Sequence, residues 1–177
     1  MGRDQSGGDS SEPGRVTSDS SDGDQRDSGG DAPGTAWTGT LTDTYAAAIQ
    51  HDLVDLEPDT TLLGVVRQPP PWFHTTVDVN VRALGPPSAL LEEAKTADEE
   101  LKMQGLCAEG AHNAAWEQVD FEARYRTHLE IDADAQDALT RLRERLASGE
   151  SIALVCFENT NKKRCHRTVL REVLERE

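Results

Sequence analysis

The chain has 177 residues and a formal net charge of −15, from 33 acidic against 18 basic side chains. That length suits one domain of ordinary size, and a charge of that sign argues against nucleic-acid binding by overall attraction to phosphate without excluding it, the local basic run at 162–167 being the feature that would serve it. No run approaches the ~18 apolar residues of a membrane helix, the polar N-terminus lacks the apolar core of a signal peptide, and three cysteines argue against a disulfide-built secreted module, so a reducing cytoplasm is the expected compartment.

Residues 1–36 are rich in Gly, Ser, Asp and Pro, with Val16 the one large aliphatic residue after Met1. Such a stretch cannot bury enough apolar surface to offset the entropy of ordering it, so a disordered acidic tail is expected there and a single domain over 37–177. The tail carries a net charge of −5, which leaves −10 on the remainder, where Lys95, Lys102, Lys162 and Lys163 are the only lysines of the chain. An acidic surface poor in lysine stays hydrated in molar salt, where screening removes its self-repulsion; the composition predicts a halophilic protein.

Ala36 to Thr42 alternates weakly as a short strand, and a helix is predicted from Thr44 to Leu53. Thr60 to Val66 is a nearly continuous apolar run, the pattern of a strand covered on both faces. Pro69, Pro70 and Pro71 predict a rigid, extended loop through His74, with Trp72 and Phe73 either lidding a pocket or plugging the core. Pro86 and Pro87 open a helix striped by Leu90, Leu91, Ala94 and Leu101 and stopped by Gly105. A second helix is predicted over His112–Leu129 and a third from an Asp134 N-cap to the stop at Gly149. Ser151 to Phe157 is the clearest buried strand, and a last helix carries Val169, Leu170, Val173 and Leu174. Helix, buried strand, loop, helix predicts an α/β fold, a small mostly parallel sheet flanked by helices, with ligands gathered beyond the carboxyl ends of the strands.

The chemistry-bearing segment is Cys156 to Arg167. An apolar strand ends in Cys-x-Glu (Cys156, Glu158), and after a short loop Cys-His-Arg (Cys165, His166, Arg167) opens the last helix. In this the sequence resembles domain-of-unknown-function family 488, as a haloarchaeal-type member. Upstream, Leu63 to Pro69 resembles that family's strand ending in Asp-x-Arg before a proline loop, with Arg67 in the arginine position and Val65 where the aspartate stands; Phe121 to Tyr125 resembles its middle helix. The resemblance implies an α/β fold and a shared pocket, and it names no reaction and no cofactor.

A cysteine in the first turn of a helix feels the positive end of the dipole, and Lys162, Lys163, Arg164, His166 and Arg167 add charge. Both effects predict a thiolate at Cys165 and an anion docked at the helix start. Cys156, Glu158, Cys165 and His166 are thus the candidate catalytic residues, and Arg67 and Arg167 the candidate anion-binding pair, facing one pocket. Glu158 serves as a base or pairs with Arg167.

Other readings of the same residues stand beside this one. Cys156 suits an inert buried thiol. Cys156, Cys165 and His166 supply three metal ligands, with His112 or His74 as a fourth, and Cys156 with Cys165 suits a redox pair. Three classes remain open: an enzyme acting on a phosphate-bearing or nucleotide-like substrate, a binding module for such an anion or for nucleic acid, and a metal-stabilised or thiol-redox interaction protein. His112, Asn113 and Trp116 form a second polar cluster, with His112 read as a cap or surface residue, and Cys107 reads as incidental.

Overall fold

An inner strand of a parallel sheet is covered on both faces and must be apolar along its whole length. The computed structural model, which describes residues 37–176, builds such a sheet from four strands among those residues: β1 (Leu41–Tyr45), β2 (Thr61–Gly64), β3 (Val79–Asn80) and β4 (Ile152–Cys156). Their order is β1-β4-β2-β3 and every pairing is parallel. All five residues of β4 are buried, as its unbroken Ile-Ala-Leu-Val-Cys run requires. The expected disordered tail, residues 1–36, lies outside the described residues.

Around the sheet lie α1 (Ala46–Gln50), α2 (Ser88–Met103), α3 (Ala108–Gln118), α4 (Phe121–Ile131), α5 (Ala133–Ala147) and α6 (His166–Glu175). Leu63, Val65, Leu154 and Val155 from the sheet side join Tyr125, Leu129, Leu139, Leu142, Leu170 and Leu174 from the helices in one core. Helix α6 packs against β1, β4 and α4, burying Val169, Leu170 and Leu174 of the stripe that its spacing predicted and partly burying Val173. No helix among the described residues is long and apolar enough to cross a membrane.

The α/β class and the parallel sheet agree with the sequence; several boundaries do not. The first strand extends to Tyr45, into the expected helix, because its residues pair with β4 from Leu41↔Ile152 to Tyr45↔Cys156. The predicted helix 112–129 is two helices, broken where Asp120 adopts a left-handed backbone (φ 50°) that Asp tolerates better than most residues. The break brings Trp116 and Phe121 into a stack with ring centroids 4.0 Å apart. The earlier of the two starts at Ala108, where the Cys107 sulfur caps the Gly110 N–H, so Cys107 is not incidental. Asp132, not Asp134, caps α5 through the Ala135 N–H at 2.9 Å. The proline loop closes into a 3-10 turn, Pro71–Thr75, with Pro71 at its first position, where no N–H is needed.

Candidate functional site

Strands β2 and β4 are neighbours, so their carboxyl ends open on the same edge. Beyond β2 the chain stays extended: the Val65 N–H donates to Val155 O at 3.0 Å. The Asn80 side chain continues the pairing, accepting from the Val66 N–H at 3.1 Å and donating to Val66 O at 2.9 Å. This carries Arg67 to the mouth of the sheet. Beyond β4, residues 157–165 loop back to α6, with Cys165 as its N-cap residue and His166 as its first. Helix α3 pins that loop: His112 Nε2 donates to Arg164 O at 2.9 Å, Asn113 donates to Lys162 O at 3.0 Å, and Asn113 Oδ1 accepts from the Arg164 N–H at 2.9 Å. His112 and Asn113 are therefore loop anchors.

Cys156, Cys165 and His166 meet where strand end and helix start converge. Their exposures are only 4%, 3% and 8%. His166 Nδ1 lies 3.8 Å from the Cys156 sulfur and 3.9 Å from that of Cys165. Its other nitrogen is 2.8 Å from Val65 O, and a carbonyl only accepts, so Nε2 carries the hydrogen and Nδ1 turns to the sulfurs. The position that holds aspartate in the resembling family thus contributes its backbone carbonyl here.

The acidity within the pair is the reverse of the dipole-based expectation. The Cys165 thiol donates to Cys156 and lowers its pKa; the Phe157 and Glu158 N–H groups and the Arg167 charge act in the same sense, against burial. Cys165 is pushed well above the ordinary thiol range, first by that bond to Cys156, then by burial and the neighbouring sulfur's charge. Of the two thiols Cys156 is therefore the more acidic, with Cys165 as its hydrogen-bond donor.

The three residues line a cavity of about 400 Å³, shared with Arg67, Lys95, Asp98, His112, Trp116, Phe121, Phe157, Glu158 and Arg164 among others. Three cations face two carboxylates there, in a chain of net charge −15. Arg67 is held by Pro86 O (3.0 Å) and Gly85 O (2.7 Å), and its Nη2 lies 3.0 Å from His128 Nε2. Two polar atoms of the lining residues, Trp116 Nε1 and Asp98 Oδ1, are buried without a hydrogen-bond partner in the protein.

Arg167 does not share this cavity, against the expectation of a common pocket with Arg67. It is 1% exposed, and its fork is filled by Asp43 Oδ2 (2.7 Å), Thr44 O, Glu158 O (3.4 Å) and Thr160 Oγ1 (3.4 Å). As the second residue of α6 it reaches the end of β1 instead of β2. Glu158 pairs with Lys163 at 3.3 Å and not with the Arg167 charge. Neither His112, whose Nε2 is committed to Arg164 O, nor exposed His74 joins the Cys-Cys-His group. Phe73 plugs the core and half-exposed Trp72 packs on Phe73 and Phe157, so neither lines the cavity.

Sequence reasoning missed Asp43, which binds both Arg167 and Arg171 (2.9 Å), and Asn80, whose amide mimics a strand. An acid in a weakly alternating strand carries no local sign of its partner; Asp-Val-Asn-Val over 78–81 was a legible, if short, alternation. No curated protein and no solved structure matches the chain. The model of one family does, over residues 49–177, a span that contains both motif segments, the cavity and the Cys-Cys-His group: the chain belongs to DUF488-N3a, described as the active DUF488-N3 subclade.

Proposed function

We propose that the cavity binds an anionic, phosphate-bearing or nucleotide-like ligand, and that its Cys156–Cys165–His166 floor is where the ligand is processed. The observation that carries this reading is the meeting of three cationic side chains, Arg67, Lys95 and Arg164, with an aromatic wall in one cavity. Trp116, Phe121 and Phe157 give an aromatic wall suited to a planar ring, and Arg67 and Arg164 give the charge suited to its anionic group. A concave, mostly apolar site with a few convergent polar groups is the usual form of a small-molecule pocket. The family description of an active subclade agrees with a reaction centre here.

The test is calorimetric titration of the reduced, metal-free full chain with inorganic phosphate and with a nucleoside monophosphate. The nucleotide should bind more tightly than phosphate, because only it reaches the aromatic wall. Arg164→Ala removes a charge whose present partner, Glu117 (2.7 Å), is exposed and replaceable by water. It should weaken nucleotide binding about tenfold, the lower range for a charge-assisted hydrogen bond. Absence of binding by either anion, or an unchanged affinity in Arg164→Ala, overturns the reading.

A further inference from the structure

Cys156, Cys165 and His166 form a group whose ligand atoms all lie within 4.8 Å of one another, and all three residues are buried. We infer that this group is a metal site for a zinc-class divalent cation, with three protein ligands and a fourth position open to the cavity. Zinc bonds thiolate sulfur at ~2.3 Å and imidazole nitrogen at ~2.0–2.1 Å, which at tetrahedral angles sets sulfur and nitrogen ~3.6 Å apart. The two sulfur–nitrogen distances are 3.8 and 3.9 Å, within a few tenths of an ångström of that spacing.

An independent feature points the same way. A metal-ligating histidine characteristically donates its second ring N–H to a carbonyl or carboxylate, which fixes the ring and turns the other lone pair to the metal. His166 does this through Val65 O at 2.8 Å, and the nitrogen left over is the one facing both sulfurs. Two sulfurs and an imidazole select a borderline-soft ion over magnesium or calcium.

The remaining coordination position faces the cavity, because all three ligands line it. Three protein ligands with one open position characterise catalytic rather than structural zinc. The bound ion would place a Lewis acid at the floor and withdraw both sulfurs from nucleophilic use. This goes beyond the anion-site reading and does not depend on it, since the ion binds through protein ligands alone.

The test uses the full chain, reduced and stripped with a chelator, then titrated with zinc against a chromophoric competitor and, separately, with cobalt. One zinc per chain is expected, and cobalt should give the intense near-ultraviolet bands of thiolate-to-metal charge transfer. Cys156→Ser, Cys165→Ser and His166→Ala should each weaken zinc binding by more than the ~10–100-fold that outer-shell changes cost, while Cys107→Ser leaves it unchanged. The wild-type spectrum decides even where a variant fails to fold. Cobalt binding without thiolate bands, or zinc binding abolished by Cys107→Ser, overturns the site. Because the nucleotide titration is run metal-free and this one anion-free, failure of either proposal leaves the other readable.

Discussion

Replacing Arg167 by Ala asks whether that arginine serves the ligand or the fold. The side chain links three segments: Asp43 and Thr44 O on β1, Glu158 O and Thr160 in the loop, and α6 itself. Removing one partner of a buried ion pair costs about 3–5 kcal/mol, mostly by stranding the other charge. Asp43 is only partly buried and keeps Arg171 at 2.9 Å, which puts the loss near the lower end, about 3 kcal/mol. That is a roughly 150-fold change in the folded-to-unfolded ratio, and a fall in Tm of about 10 °C for a domain of this size. Asp43→Ala should cost more, because it strands a guanidinium that is 1% exposed, and Arg167→Lys should rescue little, since one ammonium cannot replace a fork that meets four oxygens. Urea denaturation at fixed salt measures each change as a shift in midpoint. An Arg167→Ala protein within about 1 kcal/mol of wild type that nevertheless binds nucleotide more weakly would refute this reasoning and return Arg167 to the ligand site.

Glu150 ties the end of α5 to the start of β2 through Arg145 (2.7 Å) and Thr61 (2.6 Å), and these bonds hold its pKa at about 2. A depressed carboxyl contributes stability that is fully present above its unfolded value of ~4.3 and lost as pH falls through about 2; Glu150→Gln should therefore flatten the acid limb of a stability–pH profile in that window, and an unaltered limb would contradict the linkage. With −10 on residues 37–177, the domain should lose helical circular dichroism between 1 M and 0.01 M salt as the Debye length grows from ~3 to ~30 Å, and equal stability at both ends would remove the salt-adapted reading.

The sequence alone determined the elements whose residues solve a local problem. An uninterrupted run such as Ile152–Cys156 has no face for water and must be an inner strand, and Val169, Leu170, Val173 and Leu174 share one helical face whatever they pack against. Cys156, Cys165 and His166 were legible as a group for a similar reason: strand, short loop and helix allow little separation between the strand's last residue and the helix's first. Tertiary structure decided everything that depends on a distant partner. Asp43 lies opposite Leu154 only through the β1–β4 register, and that register, not any feature of residues 156–167, takes Arg167 away from the cavity and into a buried pair. The greater acidity of Cys156 over Cys165 was equally hidden. Helix position favours the latter, yet the order of acidity follows which sulfur accepts the other thiol's hydrogen bond and receives the Phe157 and Glu158 N–H groups and the Arg167 charge. Charge and hydrogen bonds act through space, and a one-dimensional pattern carries them only where neighbours in the chain are also neighbours in the fold.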